Sequence, residues 1–121
     1  MEESIIIHEL MHAAGLHHTQ QRADRDRYVN VHWDYIGDTY KTAYQRFTNY
    51  QPPVPYDIRS VMHYMSNQNE EFSSMTDHTN HPIMHEHKVR LGDWHWVNIS
   101  YQCKYYMQFT RKYFDHWTNT R

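Results

Sequence analysis

The chain has 121 residues, enough for one small domain, and a formal net charge of −2 with histidine neutral. That charge offers no electrostatic case for nucleic acid or an anionic membrane as partner. Aromatic residues make up 16% of the chain, with eleven Tyr and four Trp, and the mean hydropathy is −1.01, so rings carry more of the apolar content than aliphatic side chains do.

Met1-Glu2-Glu3-Ser4 is acidic where a secretory leader would be basic, and the apolar run after it is short, so no signal peptide is expected within this chain. No stretch is long enough to span a membrane. Ile5, Ile6, Ile7, Leu10, Met11, Ala13 and Ala14 predict a helix buried on most sides. On such a helix His8 and His12 stand one turn apart on one face, where both imidazoles can reach a single metal. Glu9 lies about 100° further round and can lean over a water held there. Gly15 supplies a position for positive φ, so the helix stops, the chain turns, and His18 returns as third ligand. Three protein ligands leave a fourth position open, the arrangement of a catalytic zinc and not a structural one. A bare His-Glu-x-x-His also arises by chance in unrelated helices, but Gly15 and His18 at this spacing make chance a poor explanation. His17 and His18 are adjacent; the spacing from Gly15 selects His18 and leaves His17 facing solvent or supporting a ligand. The chain holds twelve His, far more than one site needs, and most are expected to be exposed.

From Thr19 to Asp26 the chain is polar, which by itself reads as a solvated turn. Tyr28 to Trp33 is rich in β-branched and aromatic residues and predicts a short extended segment. Asp38 to Phe47 predicts a helical turn or two, ended by Pro52, Pro53 and Pro55. Tyr56 to Tyr64 reads as a short strand and turn, and Asn67 to Pro82 as loop. Cys103 is the one cysteine, either a free thiol or half of a bridge to something outside this chain. Beyond it Tyr105, Phe109, Tyr113 and Trp117 recur at steps of four. An extra helix or frayed end packed on the domain is the expected reading, ahead of an amphipathic helix that touches a partner or membrane.

Set beside the histidine motif, Ser60-Val61-Met62-His63-Tyr64 resembles the Met-turn, S-x-M-H-Y, of the astacin family of secreted zinc endopeptidases, which belong to the metzincins. Arg22-Ala23-Asp24-Arg25-Asp26-Arg27-Tyr28-Val29 is similar to that family's R-x-D-R-D-x-Y-V. Tyr56-Asp57 stands before the turn as in the family, and Asp93, Val97, Asn98, Tyr101 and Cys103 keep the spacing of its closing helix. The resemblance covers residues 5–103. It implies an α+β metzincin-type fold, of which this chain has the zinc helix and a mostly irregular C-terminal lobe with one closing helix. It implies one catalytic zinc held by His8, His12 and His18, with Met62 as the apolar floor beneath. It also implies cleavage of internal peptide bonds in protein or peptide substrates by a zinc-activated water. Glu9 would be the general base, and Tyr64 an extra zinc ligand that swings away to stabilise the oxyanion. The setting implied is extracellular.

Some positions depart from the family pattern. Thr19 follows the third histidine where the family usually has Glu, which anchors the mature N-terminus; Thr cannot form that ion pair. Val89-Arg90 replaces the usual Leu-Ser at the start of the closing helix, leaving Asp93 to complement the helix charge. Asn98-Ile99-Ser100 matches a glycosylation sequon, but on a helix position used structurally, so no glycan is expected. In the family a sheet-bearing lobe precedes the zinc helix, whereas His8 is preceded here by seven residues. The chain is therefore expected to be a fragment: residues 1–103 as a partial catalytic domain without its N-terminal lobe, and residues 104–121 as a tail. In the family the cysteine matching Cys103 pairs with one in that lobe. A non-catalytic zinc-binding remnant is the second functional reading.

Overall fold

The protein is described here by a computed structural model covering residues 3–66, 68–69, 72–84 and 87–103; the aromatic stripe expected from Tyr105 to Trp117 lies outside the described residues.

The first helix, α1, spans Glu3–Ala13, with Glu3 complementing the positive end of the helix dipole. Its end is fixed by Gly15, at φ 92°. Leu16 N–H donates to Met11 O at 3.0 Å and Gly15 N–H to His12 O at 2.9 Å, the bond pair of a Schellman motif. The apolar contact that accompanies this motif is present, since Met11 and Leu16 pack in one buried cluster with Val61 and Met62. Ile7, Val89, Trp96 and Val97 close around that cluster.

Burial of α1 on most sides is not what the structure shows. Ser4 and Met11 are buried, but Ile5 is 48% exposed, Ile6 46% and Leu10 63%. At about 100° per residue, Ser4, Ile7, His8 and Met11 form one stripe and Ile5, Ile6 and Leu10 lie on the opposite arc. The buried cluster and the Val61 carbonyl engage the first stripe.

The polar stretch after α1 is not a solvated turn either. It folds into two 3₁₀ turns, Thr19–Gln21 and Arg25–Arg27, and Arg22 and Arg25 are each only 4% exposed. Arg22 grips both carboxylate oxygens of Asp24 at 2.9 and 2.8 Å and donates to Val54 O at 2.9 Å. Its guanidinium also lies over the Tyr56 ring, 5.2 Å from the centroid. Arg25 donates to Asp26 at 2.8 Å, to Gln20 O at 3.3 Å and to Tyr44 O. A guanidinium with its donors satisfied can be buried at tolerable cost, so these charges tie loops together.

Strand β1, Val29–Val31, takes the extended form its β-branched residues favour. Two further 3₁₀ segments follow, Trp33–Tyr35 and Asp38–Tyr44, the second meeting the predicted helical turns. The stretch read as loop contains β2 (Gln68–Asn69), β3 (Phe72–Ser73) and β4 (Met75–Asp77). β2 pairs with β3, and β4 pairs antiparallel with β1, Val29 facing Asp77 and Val31 facing Met75. Polar composition hid β4, whose pairing follows from burying Met75 with Val29, Ile36, Tyr44, Tyr56 and Ile83 in a second cluster.

The closing helix, α2, spans Leu91–Ser100. Asp93 accepts from Arg90 N–H at 2.9 Å and from Ser60 Oγ–H at 2.6 Å, so one carboxylate both caps the helix and ties it to the turn at residues 60–63. Within the sequon, the Asn98 amide donates to Trp94 O at 2.8 Å, inside the helix.

Candidate metal centre

The helical spacing places His8 and His12 side by side, with ring centroids 4.7 Å apart. Each ring is oriented by a carbonyl. His8 Nδ1 lies 2.8 Å from Val61 O, and His12 Nδ1 lies 2.7 Å from Leu16 O. A carbonyl only accepts, so each Nδ1 carries a proton and Nε2 is the atom of each ring left to bind a metal. The turn at Gly15 returns His18, whose Nε2 stands 3.1 Å from His8 Nε2 and 3.1 Å from His12 Nε2.

This donor set fits zinc. Two of the three converging nitrogens belong to rings oriented by carbonyls, and tetrahedral ligands at about 2.0–2.1 Å from zinc stand about 3.3 Å from one another. Among the described residues these three histidines are the one group of three metal-ligating side chains close enough to share an ion. Burial first, and then the neighbouring His12 and His8, lower the His18 pKa to about 4, which leaves the imidazole neutral at physiological pH.

The other residues singled out in the sequence fall around this cluster. Met62, 1% exposed, packs with Met11 and Leu16, which bracket His12 on the chain. The Tyr64 ring meets His18 at a centroid distance of 4.4 Å and 60°, with Tyr44 at 5.8 Å. The Tyr64 pKa is raised, by burial first and then by Tyr44 and Glu9, so the phenol keeps its proton. Glu9 is exposed on α1, and its charge reaches Tyr64. His17 is set apart from the cluster. It is exposed and packs against Phe47 and Tyr50 at 5.6 and 5.1 Å, with its backbone N–H held by the Tyr50 hydroxyl at 3.2 Å.

Sequence reading missed two supports. Thr19 Oγ1 donates to Ser60 Oγ at 3.2 Å, and Ser60 passes its own proton toward Asp93, which joins the segment after His18 to α2. Burial raises the Asp93 pKa, although Ser60 and the Arg90 backbone oppose the shift. Gln20, wholly buried, accepts from Tyr64 N–H at 3.0 Å. No residue type flagged Gln20, because its partner lies 44 positions away.

A three-histidine cluster on a His-Glu-x-x-His helix, with a methionine turn against it and an α+β frame around it, defines the class of zinc-dependent peptidase folds. Comparison with known proteins makes the assignment specific. Residues 1–102 match the Astacin peptidase family, and the chain belongs to it. The chain is 45% identical over 65 residues to the astacin-like metalloendopeptidase of Coturnix japonica, covering 53% of this chain and 16% of that protein. It is 34% identical over 114 residues to zinc metalloproteinase nas-13 of Caenorhabditis elegans, covering 85% and 24%. High choriolytic enzyme 1, a hatching enzyme zinc-protease from Oryzias latipes, superposes with a TM-score of 0.76 at 32% identity, over 84% of this chain and 53% of that one. The chain thus spans about half the length of that solved relative and less of the two curated ones.

Proposed function

We propose that this chain carries the zinc centre of an endopeptidase that hydrolyses internal peptide bonds, with His8, His12 and His18 as ligands and Glu9 as general base. The convergence of three imidazole nitrogens, two on rings oriented by Val61 O and Leu16 O, carries the reading. Zinc held there supplies Lewis acidity, drawing the pKa of a water toward about 7 and polarising the scissile carbonyl. Glu9 takes the proton of the attacking water on its carboxylate and returns it to the leaving amine. The Tyr64 phenol, protonated and on the edge of the cluster, donates to the developing oxyanion. Met62 and Met11 keep the floor of the site dry and hold the ligand helix in place.

The same reading takes residues 1–103 as one part of the catalytic domain, supported by a family match that ends at residue 102. Cys103 is an exposed free thiol among the described residues, suited to a bridge with a cysteine outside them. An extracellular setting follows from family membership; no helix among the described residues is long and apolar enough to cross a membrane. The second reading, a zinc-binding remnant without catalysis, draws on the exposed Ile5, Ile6 and Leu10 face of the ligand helix.

The test is the full chain, zinc-loaded, assayed on a casein-type substrate beside Glu9→Ala. The expected result is that Glu9→Ala keeps one zinc per chain and loses hydrolysis by about 10²–10⁴-fold. Zinc bound with no hydrolysis in either protein favours the remnant. Failure to bind zinc removes both readings.

A further inference from the structure

The backbone of Tyr64 is gripped at both its polar groups by buried side chains. Its N–H donates to Gln20 Oε1 at 3.0 Å, and its carbonyl accepts from His63 Nδ1–H at 2.7 Å. His63 is fixed in turn by Tyr56, whose hydroxyl donates to His63 Nε2 at 2.7 Å. Gln20 is 0% exposed and His63 1%. Between His18 and Gln20, Thr19 N–H donates to Met62 O at 2.9 Å. The chain leaving the third histidine is therefore zipped to residues 62–64 by one backbone bond and one bond through the Gln20 amide.

The Gln20 orientation is set by chemistry, since only the amide oxygen can accept from Tyr64 N–H. That leaves Gln20 Nε2 buried with no partner among the described residues. A buried amide with an idle nitrogen costs more to keep than an apolar side chain of the same length, which points to the oxygen contact as its use.

We propose that Gln20 is a positioning residue: by tying the Tyr64 backbone to the segment that carries His18, it keeps the Tyr64 phenol at the edge of the histidine cluster. With N–H and carbonyl both held, the ring moves only about its own side-chain bonds, between His18 on one side and Tyr44 on the other. The catalytic value of that position rests on the endopeptidase reading; the tether does not.

The experiment uses the zinc-loaded full chain with Gln20→Leu, Gln20→Glu and Tyr64→Phe, read by NMR and by peptide hydrolysis. Gln20→Leu is expected to speed exchange of the Tyr64 amide by about tenfold relative to amides of β1 and β4. It should also weaken ring contacts between Tyr64 and His18 while one zinc per chain remains. Gln20→Glu, which keeps an acceptor at the same reach, is expected to restore both. In hydrolysis Gln20→Leu should lower kcat with KM unchanged, and in a Tyr64→Phe background it should cost nothing further. If Gln20→Leu does not fold, Gln20→Asn withdraws the amide by one methylene and is expected to give the same NMR changes. Unchanged Tyr64 exchange and ring contacts, or faster exchange spread evenly through the chain, overturns the proposal. Full activity of Tyr64→Phe with zinc bound overturns its catalytic half and the role of the phenol, and leaves the zinc reading standing.

Discussion

The two faces of α1 are made of similar residues and have opposite fates. One face carries Ser4, Ile7, His8, Met11 and His12 and packs against residues 61–62 and α2. The other carries Ile5, Ile6 and Leu10, each 46% exposed or more. Isoleucine occurs on both, so hydrophobicity does not separate them. The packed face differs in what opposes it: a carbonyl for His8, a second carbonyl for His12, and Val61 and Met62 for Met11. A helix can be apolar on several sides and still be organised from one, and here that side holds two of the three proposed ligands.

The sharpest way to break this contrast is through the ligands. His18→Ala should lower zinc affinity by more than the about 10–100-fold that losing an outer partner of a ligand costs, whereas His17→Ala should leave it unchanged. Zinc titration of both variants decides it, and loss of zinc with His17→Ala would place the ligand one residue too late. Next comes the packing beneath the cluster. Met62→Ala should destabilise the fold by about 2–5 kcal/mol, measured by denaturant unfolding, because Met62 fills a closed site between α1 and the Thr19 backbone.

A smaller effect concerns pH in the zinc-free chain. His18 stays neutral in the fold down to about pH 4, while in the unfolded chain it takes a proton near the ordinary histidine value of 6.5. In that window the unfolded state binds more protons, so stability should fall as pH drops from about 6.5 to about 4. Thermal unfolding at a series of pH values checks this, and His18→Gln should flatten the dependence. The smallest effect belongs to the outer face. Leu10→Ser should change stability by no more than about 0.5 kcal/mol, since Leu10 is 63% exposed. A loss of several times that size would show the outer face to be covered in solution.

Sequence and structure agree most closely where the interactions are local. The His8–His12 pair, the stop at Gly15 and the return of His18 all lie within eleven residues, and helical period and glycine geometry fix them. The extended Val29–Val31 and the turns from Asp38 were legible for the same reason. Thr19 to Asp26 was not, because its arginines are buried through partners at Tyr44, Val54 and Tyr56, which no window around residue 22 contains. β4 was missed because its pairing partner, β1, lies more than forty residues upstream.

By itself the sequence determined which residues can meet a metal, since i and i+4 on a helix are neighbours whatever the rest of the chain does. It also determined family membership, because the motifs recur in order along most of the chain. Only the tertiary structure decided the surroundings of those side chains. The His8 ring is oriented by a carbonyl 53 residues away. The neutral form of His18 depends on burial and on the two other histidines. The Tyr64 backbone is held by Gln20 and His63. Each of these is an interaction across the fold, and short-range spacing carries no information about it.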